Sequence, residues 1–206
     1  MSQKPDSLPE PAPSRELFAD FANTLEFERG QAVDAISAPG DLLSWLVERG
    51  LISERLRGAE ATRFRRDGAE AQRRLERFRE LRRVLHAIAR RTSVGRSPTR
   101  QQIRELNHIL RHGLHYHQLR PTGDGARYAV AQIGDWLDQA RAAIASSLAH
   151  FLAEGAPDRL RVCANEGCRY VFVDHSPTGR RRWCDMRTCG NQAKVARHRA
   201  RAKARA

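Results

Sequence analysis

Apolar residues recur at helical spacing through most of the first 155 residues. Phe18, Phe21, Ala22 and Leu25 lie three or four apart or adjacent, and Ser14 stands where a helix N-cap belongs. Leu42, Leu43, Trp45 and Leu46 predict a second helix over 41–49, with Gly50 as its stop. Leu75, Phe78, Leu81, Leu85 and Ile88 form a longer stripe and predict a helix over 69–91. Ser97-Pro98 is a further helix start, with Pro at the first helical position, and Ile103, Leu106, Ile109 or Leu110, and Leu114 follow from it. Leu119 and the stretch 126–132 flank Thr122-Gly-Asp-Gly125, which is the pattern of a β-hairpin. A last helix is predicted over 135–154, with Trp136, Ala140, Ile144, Leu148 and Phe151 inward and Gly155 ending it. No internal repeat is present. The fold class is therefore mainly α: an N-terminal helical bundle with one candidate hairpin.

The charge is not spread evenly over the 206 residues. Net charge is +13, carried by 34 Arg and 3 Lys. Through Asp158 there are 24 basic against 21 acidic residues, and from Arg159 onward 13 against 3. All four cysteines lie in that second part, so a boundary is expected near Gly155-Ala156-Pro157. With so short a linker, the two parts should touch. Pro5, Pro9, Pro11 and Pro13 mark residues 1–13 as a disordered leader. The chain has neither a signal-peptide pattern nor an apolar run of membrane-spanning length, so the expected compartment is the cytoplasm, where thiols stay reduced.

Cys163 and Cys168 are separated by four residues, as are Cys184 and Cys189, and fifteen residues lie between the pairs. Two close pairs at that distance can converge on one tetrahedral Zn²⁺. Two disulfides or two buried pairs are the bland alternative, and a reducing compartment disfavours the first. Between the pairs, Arg169 to Asp174 is β-rich, Thr178-Gly179 offers a turn, and Arg180 to Cys184 brings the chain back. A helix is predicted from Asn191 to about Ala200. The implied unit is a small treble-clef-like zinc finger, with one structural Zn²⁺ held by Cys163, Cys168, Cys184 and Cys189. His175 and His198 are alternative ligands.

Cys163-Ala-Asn-Glu-Gly-Cys168, Phe172-Val-Asp-His-Ser176, Arg181-Arg-Trp-Cys184-Asp-Met186 and Cys189-Gly-Asn-Gln192 resemble the CGNR zinc finger. Phe21-Ala-Asn-Thr24 and Asp41-Leu-Leu-Ser-Trp-Leu46 before Gly50-Leu51 resemble the ABATE domain, which precedes this finger in bacterial proteins described as stress-induced transcription regulators. The resemblance implies an ABATE-like helical domain over 14–155 and a CGNR finger with a basic tail over 159–206. Two positions depart from the family pattern: Gln192 stands where Arg is usual, and Asp185 where Ser is common.

Arg180, Arg181, Arg182, Arg187, Lys194, Arg197, Arg199, Arg201, Lys203 and Arg205 are candidate phosphate contacts, and after Ser176 only Asp185 opposes them. A nucleic-acid partner is expected, DNA first, with the helical domain sensing a ligand or partner. The other readings are an RNA- or ribosome-associated protein and a protein-interaction module. No phosphate loop, nucleophile elbow or zincin motif occurs, and four cysteines leave no zinc position for water, so no enzyme and no catalytic residue are predicted. His108, His112 and His115 fall at i, i+4 and i+7, with His117 following, and read as one helix face.

Overall fold

A computed structural model describes residues 16–28 and 31–203. The leader, the Ser14 cap and Arg205 lie outside the described residues. In chain order the elements are α1 (Leu17–Ala22), β1 (Leu25–Glu28), β2 (Gln31–Asp34), α2 (Pro39–Glu48), α3 (Glu54–Arg66), α4 (Gly68–Thr92), α5 (Arg100–Leu110), β3 (His115–Thr122), β4 (Gly125–Gln132), α6 (Trp136–Glu154), β5 (Leu160–Val162), β6 (Val171–Val173) and α7 (Asn191–Lys203). The strands make three separate antiparallel pairs, β1 with β2, β3 with β4 and β5 with β6. Among the described residues the fold is mainly α, and no helix is long and apolar enough to cross a membrane.

The longest helix organises the rest. Leu75, Phe78, Leu81, Leu85 and Ile88 of α4 are all buried, as the stripe predicts, and α1, α2, α3, α5 and α6 pack around them. Phe21 of α1 wedges between Trp45 of α2 and Phe78, with ring centroids 5.1 and 5.9 Å away. Each such side chain contributes about 1.5–3 kcal/mol by leaving water. The first turn of α6 is pinned electrostatically. Arg74, nearly buried on α4, reaches Glu70 at 2.6 Å and Asp135 at 2.9 Å, and Asp135 also caps α6 by accepting from the Leu137 and Asp138 amides.

The structure departs from the sequence pattern in four places. α1 stops at Ala22, and Leu25 begins β1 instead of extending the helix. α3 carries no apolar stripe, because Phe64 alone of its residues is buried, so periodicity does not reveal it. α5 starts two residues later than Pro98 suggests, since Thr99 and Gln102 cap it reciprocally, and Ile103 is 46% exposed. That helix ends at Leu110, which places His115 and His117 on β3 rather than on a shared helix face.

The C-terminal quarter is continuous with the helical core. Leu160, Val171 and Val173 of the β5–β6 pair are buried in the same cluster as the α1 and α4 side chains. Asn23, just after α1, matches the backbone of Val171 on both sides: its Nδ2 donates to Val171 O, and Val171 N donates to its Oδ1, each at 2.8 Å. Next to it Thr24 accepts from Arg82, a buried α4 residue paired bidentately with Asp34 at 2.7 and 2.6 Å. His86, largely buried beneath this seam, donates from Nε2 to Ala22 O at 2.9 Å. Arg169 lies over the Phe27 ring at 4.8 Å, and His175 meets Glu16 at 2.5 Å.

Replacing Asn23 by Ala leaves both Val171 backbone groups without these partners. We expect a loss of about 3 kcal/mol in denaturant unfolding. An unchanged midpoint would show that the amide does not hold the seam.

Burial pushes the His86 imidazole below its usual value, and the nearby Arg82, Arg90 and Arg169 add to this. The unfolded chain therefore takes up the proton first as pH falls, so this site's contribution to stability is present above pH 6.5 and is lost below it. His86→Gln should flatten the fall in thermal midpoint between about pH 7 and pH 5.5 relative to the parent chain, both measured with excess zinc.

Candidate metal centre and basic helix

Four thiols meet at one point. Cys163 directly follows β5 and Cys168 closes the knuckle before β6, while Cys184 lies in the returning loop and Cys189 in a turn over Met186–Gly190 that leads into α7. The chain reverses immediately after Cys168 because Arg169 adopts φ 58°, in the left-handed region. All four sulfurs lie within 4.8 Å of one another. Cys168 and Cys184 are 3.6 Å apart, and Cys184 and Cys189 3.8 Å. A tetrahedral zinc with Zn–S bonds near 2.3 Å places its sulfurs about 3.8 Å apart, whereas a disulfide needs about 2.05 Å. All four cysteines are free. The donor set thus fits one zinc ion and not two disulfides.

The strand pairing differs from the sequence expectation in detail. β6 pairs with β5 across the knuckle, in the register Leu160↔Val173 and Val162↔Val171, and the stretch 180–184 returns without forming a strand. The reason lies in the apolar pattern. Leu160, Val171 and Val173 all face the main core, whereas Arg180 to Arg182 are largely exposed.

Most of the polar side chains here hold the protein's own backbone. The buried Asp174 accepts from the Ser176 amide at 2.9 Å and the Arg181 amide at 2.8 Å. Hydrogen bonding from Ser176, ahead of the Arg181 amide and the nearby Arg161 charge, brings its carboxyl down to about 2 against a burial effect that opposes this. Arg159 donates to Ser176 O at 2.7 Å and Arg161 to Gly179 O at 2.8 Å, so both fix the loop between β6 and Cys184. Arg181 lies over the Phe172 ring and donates to the carbonyls of Trp183 and Cys184. Asp185 caps the 186–190 turn by accepting from the Arg187 and Thr188 amides. A Cβ at Gly190 would meet Met186 Sδ at 2.9 Å, a contact that the exposed Met186 side chain can relieve by shifting.

Asn165 touches the metal centre itself. Its Nδ2 donates to Cys189 Sγ at 3.5 Å and to Gln192 Oε1 at 2.9 Å, while its Oδ1 accepts from the Gly167 amide. Gln192, the departure from the family's Arg, is thereby tied to the knuckle. Burial raises the Cys168 thiol to about 11 and raises Cys184 further. Burial also resists ionisation of Cys189, but donation from Asn165 and the other thiols outweighs it and lowers that thiol. Cys163, Phe172, Cys189 and the half-buried Trp183 form a separate small core around the sulfurs. Sequence reasoning singles out the four cysteines but misses Asn165, Arg159 and Arg161, whose partners become visible only once the loop is folded.

Residues 15–155 match the family model ABATE, whose description reads "Putative stress-induced transcription regulator". The chain belongs to the ABATE family. Residues 159–202 match the CGNR zinc finger, so the ABATE domain is followed by a finger whose four cysteines can hold one zinc ion. No curated protein matches the chain.

In this ABATE chain Arg180, Arg181, Arg182, Arg187, Lys194 and Arg197 are exposed wholly or in part, and among the described residues none has a carboxylate within ion-pair distance. Arg182 lies over the Trp183 ring at 5.1 Å, and Arg181 is occupied as described. Arg199, Arg201 and Lys203 follow on α7. α7 contains no acidic residue and packs against the 186–190 turn, while 194–198 are exposed throughout. The four histidines do not converge. His108 meets His112 edge-on at 5.7 Å, whereas His117 stacks on Tyr128 at 5.0 Å across the β3–β4 hairpin.

Elemental analysis of the reduced protein should find one zinc per chain. Asn165→Ala should keep that stoichiometry but lose zinc to a chromogenic chelator about tenfold faster, as partners of metal ligands generally do when removed. An unchanged rate would mean that the Asn165–Cys189 contact does nothing for the ion.

Proposed function

We propose that this ABATE-family chain is a DNA-binding transcription regulator of the cytoplasm. Residues 159–206 form the DNA-binding finger and tail, and 14–155 the domain that senses a ligand or partner. Cys163, Cys168, Cys184 and Cys189 hold a structural zinc. The phosphate contacts come from Arg180, Arg182 and Arg187 of the loop and turn and from Lys194, Arg197, Arg199, Arg201, Lys203 and Arg205 of α7 and the tail. Arg181 contributes less, because its guanidinium already holds the Trp183 and Cys184 carbonyls.

The observation that carries this reading is α7. A helix exposed on successive faces and basic without acid partners gains little from its own chain, and a polyanion supplies what it lacks. Thirteen residues span about 20 Å, and the major groove of B-DNA, about 12 Å wide, admits a helix of this kind. The metal fixes the start of α7 through Cys189, two residues before Asn191. Zinc here is a scaffold and performs no chemistry. The seam at Asn23 and Val171 supports a coupled role for the helical domain, because a shift of α1 against α4 would be felt directly by the finger.

About five of these finger and tail contacts, made together, should contribute about −4.5 to the slope of log affinity against log salt on duplex DNA. Charge removal at Arg182, Arg187, Lys194 and Arg197 together should reduce that slope by about 3.6 with zinc still bound. If the zinc-loaded quadruple variant binds duplex with unchanged slope, the DNA reading of the finger fails. Tighter, equally salt-steep binding to RNA would transfer the same surface to an RNA partner.

A further inference from the structure

The β3–β4 hairpin is built unlike the rest of the helical domain. Its two strands of eight residues pair with each other, and most of their described side chains are exposed, including Tyr116, Leu119 and Tyr128. An isolated two-stranded ribbon is marginal in water. Its base is fastened to the start of α6, where Gln139 Nε2 donates to Leu114 O at 2.9 Å and Ile133 O at 2.5 Å.

Its charge is also unlike the rest. Elsewhere in this domain most arginines hold a carboxylate, among them Arg63, Arg73, Arg74, Arg77, Arg82 and Arg141, and the exceptions, such as Arg66 and Arg90, are scattered. From Arg96 to Gln132 there are six arginines, at 96, 100, 104, 111, 120 and 127, against Glu105 and Asp124. None of these six has a carboxylate within ion-pair distance among the described residues, and all but the half-buried Arg120 are exposed. Their excess of four positive charges is larger than the net of the whole chain through Asp158.

The register sharpens the point. Arg120 stands directly opposite Arg127, so both guanidinium stems leave the same face of the ribbon. Like charges opposed across a strand pair cost stability unless something anionic lies over them. The other face carries Leu119 beside Tyr128, with His117 stacked on the Tyr128 ring. A second copy of the chain is a poor occupant, since two such ribbons would bring together four arginines that have no carboxylate partner.

We propose that the β3–β4 ribbon, with Arg111 at the end of α5, is a second duplex-DNA contact, separate from the zinc finger. A two-stranded ribbon fits the major groove as a helix does. Arg120 and Arg127 take phosphates, and Tyr128 and Leu119 present an apolar edge. α6 separates this contact from the finger: its 19 residues span about 28 Å, with the ribbon tied to its first turns and the finger following its last. The proposal extends the DNA reading of the finger and rests on it.

The test compares three zinc-loaded full-length proteins on one duplex of about 24 base pairs, long enough for two contacts a helical turn or more apart, by fluorescence anisotropy over a salt series: the parent, Arg120→Gln with Arg127→Gln, and the finger quadruple variant. The ribbon variant should bind more weakly, with a slope shallower by about 1.8, one phosphate for each arginine. Its thermal midpoint should stay level or rise, because an opposed charge pair has been removed. A ribbon variant with the parent's slope, while the finger variant loses its own, sinks the ribbon proposal and leaves the finger reading intact. A parent that ignores duplex DNA at low salt sinks both. A ribbon variant whose thermal midpoint falls, or whose sedimentation shows a lost dimer, assigns the arginines to folding or self-association and overturns the proposal.

Discussion

The Asn23 side chain pairs with both backbone groups of Val171, and the placement of the metal centre on the helical body follows from that match. β6 has β5 on one side, so its outer N–H and C=O would otherwise be buried without partners, at a cost of about 1–3 kcal/mol each. A side-chain amide supplies one donor and one acceptor at the spacing a neighbouring strand would use. With that edge satisfied, Leu160, Val171 and Val173 can enter the same core as Phe21 and Leu81. The finger is therefore not a bead on a linker. Its hairpin is part of the body's core, and only the sulfur cluster and α7 stand outside it.

This arrangement links metal and fold. Between β5 and β6 the chain runs through Cys163 and Cys168, so the ion that fixes the knuckle also fixes the register of strands buried in the main core. Conversely, α4 helps to position the knuckle: Arg82 holds Thr24 beside Asn23, and His86 holds the last carbonyl of α1. Cutting the chain after Gly155 would remove the metal and also uncover the apolar seam, so the boundary in sequence is not a boundary in packing.

What is legible in the sequence depends on whether a residue's role is local. The α4 stripe is legible because five apolar residues at spacings of 3, 3, 4 and 3 have no other reading. The β3–β4 hairpin is legible from Thr122-Gly-Asp-Gly125, and the zinc set from the clustering of every cysteine in the chain. α3 is hidden because Phe64 is its one buried residue, and the β1–β2 pair because β2 is largely exposed and shows no buried alternation. The four histidines do not share a helix face, and nothing in their spacing marks the stop after Leu110. Asn165, Arg159 and Arg161 cannot be found from sequence, because each is defined by a carbonyl, amide or sulfur distant along the chain.

Arginine illustrates the same limit most sharply. The chain uses one residue type for three physical tasks: holding carboxylates in the helical body, holding carbonyls around the metal loop, and remaining unpaired. Composition cannot tell these apart, and a net charge of +13 averages over all of them. Geometry separates them: Arg74 and Arg82 are neutralised by carboxylates, and Arg159, Arg161 and Arg181 donate to backbone carbonyls. Many of the cations left over lie on α7 with the loop and turn before it and on the β3–β4 ribbon with α5, elements whose described side chains are mostly exposed. Free charge and exposed side chains thus coincide on these elements, and only the folded geometry separates such arginines from those that hold the chain together.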